Sequence, residues 1–276
     1  MNDTYILRNE KSSLRISRRG LHLDELILNE KEILMRSEDG SQTHGGCAFL
    51  IPYANRIRNG TYSIGKREYY LSRNAEGNSI HGFAKDMQWN IEVTQMNRAV
   101  GRCKISGEGY PFNLHSTIEI ELFANSLNVK MSFLNLSSQT IPLSPGAHPY
   151  FLTSGDWSIR CENGIDEVEY EKGFFPNGIM KQMNDPDQYL NSSKSFDNCF
   201  KGGGKLILKD SERYITIDRY FMDYFVVYNG KFASGKSVAI EPMVAPPDAF
   251  NNGISLLMLK SGEKFNCGFT ISVEEK

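Results

Sequence analysis

Residues 112–122 read Phe-Asn-Leu-His-Ser-Thr-Ile-Glu-Ile-Glu-Leu, and this alternation restricts the fold more than any other feature of the chain. Phe112, Leu114, Ile118, Ile120 and Leu122 fall on one face of an extended backbone. Asn113, His115, Thr117, Glu119 and Glu121 fall on the other. Period two with one apolar face predicts a half-buried strand, because successive side chains point to opposite sides of a sheet. Asn125-Ser126 predicts a turn, and residues 127–134 alternate again, so the pair reads as an antiparallel hairpin. Shorter stretches of the same kind are expected at 4–8, 13–17, 22–28, 89–95, 99–107, 205–209, 214–218, 225–228, 238–240 and 264–273. No long segment carries helical periodicity. The chain is therefore expected to be all-β, an antiparallel sandwich or barrel-like fold.

Length and composition narrow the function classes. The 276 residues show no linker, composition shift or fixed-period repeat, so residues 1–276 are expected to form a single domain. A formal net charge of -2 with dispersed charges argues against a nucleic-acid partner. No run approaches the ~18 apolar residues of a membrane-spanning helix, so no membrane partner is expected. The first residues, Met1-Asn2-Asp3-Thr4-Tyr5, reach Arg8, Glu10 and Lys11 without an apolar stretch, which predicts a cytoplasmic protein. The five cysteines, Cys47, Cys103, Cys161, Cys199 and Cys267, are widely spaced and fit neither a zinc site nor a disulfide framework. They are expected to be reduced and mostly buried. Gly202-Gly203-Gly204 lacks the Lys-Ser/Thr and the helix of a phosphate-binding loop and reads as a bend.

Four segments interrupt the alternation with polar residues. In 49–60, Asn55 and Arg56 follow an apolar run that can carry them into a partly enclosed site; a strand end with a solvated Arg fits equally. In 78–83, His81-Gly82 lets the backbone pass close to whatever the imidazole touches, or holds a structural His. In 144–151, Pro149 restrains His148 to an extended backbone beside Tyr150 and Phe151, which suits a positioned acid or base and also a plain anchored loop. In 238–251, Glu241 ends the apolar run Val238-Ala239-Ile240. A semi-buried carboxyl there gains basicity, unless it simply reaches the sheet's edge. His22 and His115 lie opposite the leucines of their strands, His44 lies in a turn-like stretch, and none of the three is expected to have a functional role.

Taken in order, these segments resemble the aldose 1-epimerase family. Asn55-Arg56-Ile57, Ile80-His81-Gly82, His148-Pro149-Tyr150-Phe151, Phe196-Asp197-Asn198-Cys199-Phe200, Ile240-Glu241-Pro242 and Pro247-Asp248-Ala249-Phe250-Asn251 are similar to its motifs. The resemblance implies a large antiparallel β-sandwich of the galactose mutarotase-like type with a cleft on its concave face. It implies Glu241 as general base and His148 as general acid, with Arg56, His81, Asp197 and Asn55 holding the sugar. It implies a free aldose such as galactose or glucose as substrate, no cofactor, no metal, and a monomer or homodimer. The chain departs from the better-known members in Gly146-Ala147-His148-Pro149 and in Glu241-Pro242-Met243, differences that bear on substrate more than on chemistry.

Three other activities fit parts of this pattern. An epimerase of hexose 6-phosphates or sulfosugars needs a cationic pocket, for which Arg56 and Arg58, two apart on one extended face, with Lys66, Arg67 and Arg73, are candidates. A noncatalytic carbohydrate-binding module would need neither acid nor base. A glycosidase would need two facing carboxylates, such as Asp197 and Glu241.

Overall fold

The computed structural model of the chain describes residues 3–183 and 185–275. The strand Tyr110–Leu122 buries alternate residues, as its sequence predicts. It pairs antiparallel with Arg98–Gly107 on one side and Ser126–Asn135 on the other. These strands belong to a sheet completed by Asn90–Gln95 at one edge and by Lys264–Glu275, Arg213–Tyr220, Leu206–Lys209 and Ser158–Cys161 toward the other. The alternation is clean here because one face packs on the core while the other meets water.

A second, longer sheet begins with the hairpin Thr4–Asn9/Ser12–Ser17 and Leu23–Leu28. It continues through Cys47–Leu50, Gly146–Leu152, Ser237–Met243, Tyr224–Tyr228 and Asp197–Lys201, and ends in Asp166–Glu171 and Phe175–Gln182. Its central strands run antiparallel to their neighbours. One apolar cluster joins the two sheets, with Leu114, Ile118 and Ile120 from the first and Phe151, Ile240 and Val227 from the second. The all-β, antiparallel expectation holds.

The centre of the longer sheet is buried on both faces. Strands there read as near-continuous apolar runs, and every residue of Ser237–Met243 is buried. The outer face carries its own apolar clusters, including Ala48, Leu50, Cys199, Val226 and Met243, beside Tyr150 and Ala239. The chain between residues 51 and 84 folds across the end of this face and returns to it through paired short strands, Arg56–Ile57 with Ser79–Ile80. Among the described residues, no helix is long and apolar enough to cross a membrane. All five cysteines are free, and only Cys103 is not fully buried. Residues 202–204 form a bend whose Gly202 and Gly204 carbonyls accept from the Arg219 guanidinium, as expected of a structural loop.

Candidate active site

Strand register alone assembles one wall of the site. Ala48 pairs with His148, and Val226 pairs with both Glu241 and Cys199. Gly146 pairs with Met243 and Tyr150 with Ala239, a register that sets His148 opposite Glu241. One row across the outer face therefore reads Ala48, His148, Glu241, Val226, Cys199. The next row reads Tyr150, Ala239, Tyr228, Asp197. Ala239 keeps the floor low between two tyrosines. The odd residues of Ser237–Met243 face this side while Val238 and Ile240 enter the core, so Glu241 lands on the functional face by parity.

The 51–84 segment supplies the opposite wall. Asn55 and His81 both adopt left-handed backbone, with φ of 56° and 63°. Non-glycine residues held this way concentrate at functional sites. The two clasp each other: the His81 N–H donates to the Asn55 carbonyl at 2.9 Å, and the Asn55 N–H donates to His81 Nδ1 at 3.3 Å. An accepting Nδ1 fixes the tautomer, so the proton of neutral His81 sits on Nε2. Burial, reinforced by His148, Lys85 and Arg56, holds the His81 imidazole well below its ordinary range. His81 is thus a neutral donor.

Asn55 Oδ1 accepts from the Arg56 backbone N–H at 2.8 Å and faces Arg56 Nη1 at 3.5 Å. The Arg56 guanidinium also donates from Nε to Glu76 Oε2 at 3.0 Å and from Nη2 to Glu76 Oε1 at 3.4 Å. Its Nη2 lies 3.8 Å from Asp197 Oδ2, and its plane lies over the Phe174 ring. Burial opposes the Arg56 charge, but the Glu76 hydrogen bond and the Asp197 charge outweigh it and hold the pKa above the ordinary value.

Asn55, Arg56, His81, His148, Asp197 and Glu241 all line one cavity of about 340 Å³, within the range of small-molecule sites. At its closed end His148 Nε2 lies 3.3 Å from Glu241 Oε1. Both residues are almost fully buried. The His148 ring stacks on Tyr150 with centroids 4.8 Å apart and meets His81 edge-on at 5.3 Å. Burial pushes the Glu241 carboxyl well above its ordinary range, with Asp197 adding to the rise and Arg56 opposing it. Burial also pushes His148 down, to about 3. Burial thus favours the uncharged form of each group, a proton on the Glu241 carboxyl and a neutral His148 imidazole. Moving that proton from one partner to the other leaves the net charge unchanged. Glu241 Oε2 and His148 Nδ1 make no hydrogen bond within the protein. Such a pair can accept a proton at one point of a ligand while donating one at another.

All six residues singled out in the sequence thus meet in one cavity. Other parts of the cavity escaped sequence reading. Glu76 sits in a turn and carries no pattern. His44, given no role on its sequence, lines the cavity mouth, stacks on Phe232 at 3.5 Å and bonds Asp39 through Nδ1 at 2.7 Å. Tyr228 is reached only through strand register. His22, expected opposite the core, is instead buried at 2 % exposure between Asp24 and the Gly45 carbonyl, because the strand begins only at Leu23. His115 is exposed, as expected.

The expectation that Arg56 and Arg58 share a face is also corrected. The strand ends at Ile57, and a turn with Asn59 at φ 54° redirects Arg58. Arg58 pairs with Glu171 and approaches Asp248 at 3.5 Å, stacked over Phe175. Lys66, Arg67 and Arg73 are likewise absent from the described cavity lining. Asp248 braces this turn from behind. It accepts from the Arg58 and Asn251 N–H groups, and its own N–H donates to the Arg56 carbonyl.

The aldose 1-epimerase family profile matches residues 3–272. The chain belongs to this family. Its members are isomerases that act on carbohydrates. The Escherichia coli protein YihR is 29% identical over 82% of this chain and 79% of its own length. Human galactose mutarotase is 32% identical over 120 residues, 42% of this chain and 34% of that protein. The crystal structure of a GalM/aldose epimerase homologue from Caenorhabditis elegans superposes with a TM-score of 0.85 at 16% identity, covering 99% and 98% of the two chains. At that identity the match speaks for the fold, and it is the galactose mutarotase-like sandwich.

Proposed function

We propose that the protein interconverts the α and β anomers of a free aldose such as galactose or glucose, with Glu241 as base and His148 as acid. The observation that carries this reading is the buried Glu241–His148 contact at the closed end of a sugar-sized cavity. In the reactive form the shared proton is on His148. Glu241 takes the proton from the anomeric hydroxyl, the C1–O bond to the ring oxygen breaks, and His148 delivers its proton to that oxygen. Rotation about C1–C2 exposes the other carbonyl face, and both transfers reverse on closure. Ring opening leaves Glu241 protonated and His148 neutral, the state that burial favours in each group. The site thus stabilises the open-chain intermediate's protonation pattern. Each transfer supports about 10²–10⁴-fold of the rate.

Arg56, Asp197, Asn55 and the Nε2 proton of His81 hold the sugar hydroxyls in this scheme, and Tyr150 fixes the His148 ring. A noncatalytic sugar-binding module has no use for a buried acid and base, since their desolvation costs stability without adding affinity. The free thiols support a reducing compartment, and we place the reaction in the cytoplasm with the protein acting as a monomer or homodimer. Polarimetry of freshly dissolved α-D-galactose and α-D-glucose tests the reading. Acceleration toward the same equilibrium rotation is expected for at least one of them. No acceleration of any aldose, with the protein folded, removes the assignment.

A further inference from the structure

Glu76 has no part in the acid–base scheme, yet it lines the same cavity. Arg56 is the one Lys or Arg side chain among the described residues of the cavity lining. A phosphate or sulfonate on a sugar is best gripped by a guanidinium that offers two parallel N–H groups. In this cavity the Nε/Nη2 edge of Arg56 is already taken by both carboxylate oxygens of Glu76, and Nη2 also faces Asp197. The remaining edge faces Asn55 Oδ1. Glu76 is itself held in place: its backbone N–H donates to Asn74 Oδ1 at 3.0 Å, and the same oxygen accepts from the Asn78 N–H at 3.1 Å. The turn presents the Glu76 carboxylate at the rim, where the side chain is half exposed at 52%. The hydrogen bond from Arg56 keeps its pKa below the ordinary carboxylate value, so it is an anion at neutral pH. The cavity lining thus sets the Glu76 and Asp197 carboxylates against a single guanidinium.

We propose that Glu76 is a specificity-determining residue that, by occupying the Arg56 fork and placing a negative charge at the rim, excludes anionic aldoses and restricts the enzyme to uncharged sugars. This rests on the mutarotase reading. Like charges brought together at a binding surface cost enough to separate substrates by orders of magnitude. The test is anomer exchange measured by NMR, corrected for the uncatalysed rate, on the pairs galactose/galactose 6-phosphate and glucose/glucose 6-phosphate. The wild type is expected to favour the neutral sugar by about 100-fold in kcat/KM. Glu76→Gln is expected to raise the phosphate-to-neutral ratio by about tenfold or more, and Glu76→Asp, which keeps the charge, to leave it low. A ratio unchanged in Glu76→Gln, or a wild type that prefers the phosphosugar, overturns the inference while leaving the mutarotase reading in place. A wild type that accelerates no sugar overturns both. Salt supplies a measurement independent of any variant: 0.5 M NaCl is expected to narrow the wild-type discrimination, since a rim charge is screened over about 4–5 Å at that strength. Discrimination insensitive to salt contradicts a charge filter.

Discussion

At the scale of single residues, burial favours the uncharged form of both Glu241 and His148. Glu241 was legible in sequence because it ends an apolar strand, and His148 because Pro149 and two aromatic residues hold it in place. Their protonation was not legible, because it depends on what the register places opposite them. The raised pKa of Glu241 has a consequence for stability. A carboxyl whose folded pKa lies above its unfolded value costs nothing below the ordinary value and costs more as pH rises toward the folded one. Glu241→Gln removes that titration. The thermal midpoint of Glu241→Gln is therefore expected to exceed that of the wild type by a margin that grows from pH 4 to pH 8, to a few degrees. A margin that stays flat across this range contradicts a buried, raised Glu241. Glu76 and His44 were missed for a plain reason: both sit in turns, where neither periodicity nor an apolar neighbour marks a side chain as inward-facing.

At the scale of elements, the alternating strands of the shorter sheet were read nearly in full, since one face meets water and the period shows. The Arg56–Ile57 and Ser79–Ile80 strands are too short for any period, and only their motifs drew attention to them. Their placement depends on Gly82. A methyl at that position would lie 2.2 Å from the Ile51 carbonyl oxygen, and φ is +58°. Only glycine tolerates both conditions cheaply. Gly82→Ala is expected to cost about 2–4 kcal/mol in urea unfolding and to raise KM through displacement of His81 and Asn55. Unchanged stability and unchanged KM together contradict the claim that this junction positions the wall of the site. The misplacement of Arg58 belongs to the same scale: extended spacing holds only while the strand lasts, and this one ends at Ile57.

At the scale of the whole molecule, the site draws on residues 148, 197 and 241 from one sheet and on 55, 56 and 81 from the 51–84 segment, all far apart in the chain. Sequence pattern identified many of the strands but not Cys47–Leu50, Gly146–Leu152 or Asp197–Lys201, and strand order comes from long-range pairing that local propensity does not encode. The core is equally dispersed, with one apolar cluster spanning both sheets. Catalysis is therefore expected to vanish in the same thermal transition that removes the β-sheet circular dichroism, with midpoints agreeing within about 2 °C. Loss of activity well below the main transition would mean that the site is carried by a part that unfolds on its own.

A double-mutant cycle on anomer exchange decides whether Glu241 and His148 act as one proton-transfer unit on a sugar ring. Exchange between α and β anomers at equilibrium is measured by NMR for the wild type, Glu241→Gln, His148→Asn and the double variant. Each single change is expected to lower kcat by about 10²–10⁴-fold, and the double variant is expected to be little slower than the slower single. Losses that multiply in the double variant would contradict a shared mechanism, and near-normal exchange in Glu241→Gln would remove it as the base.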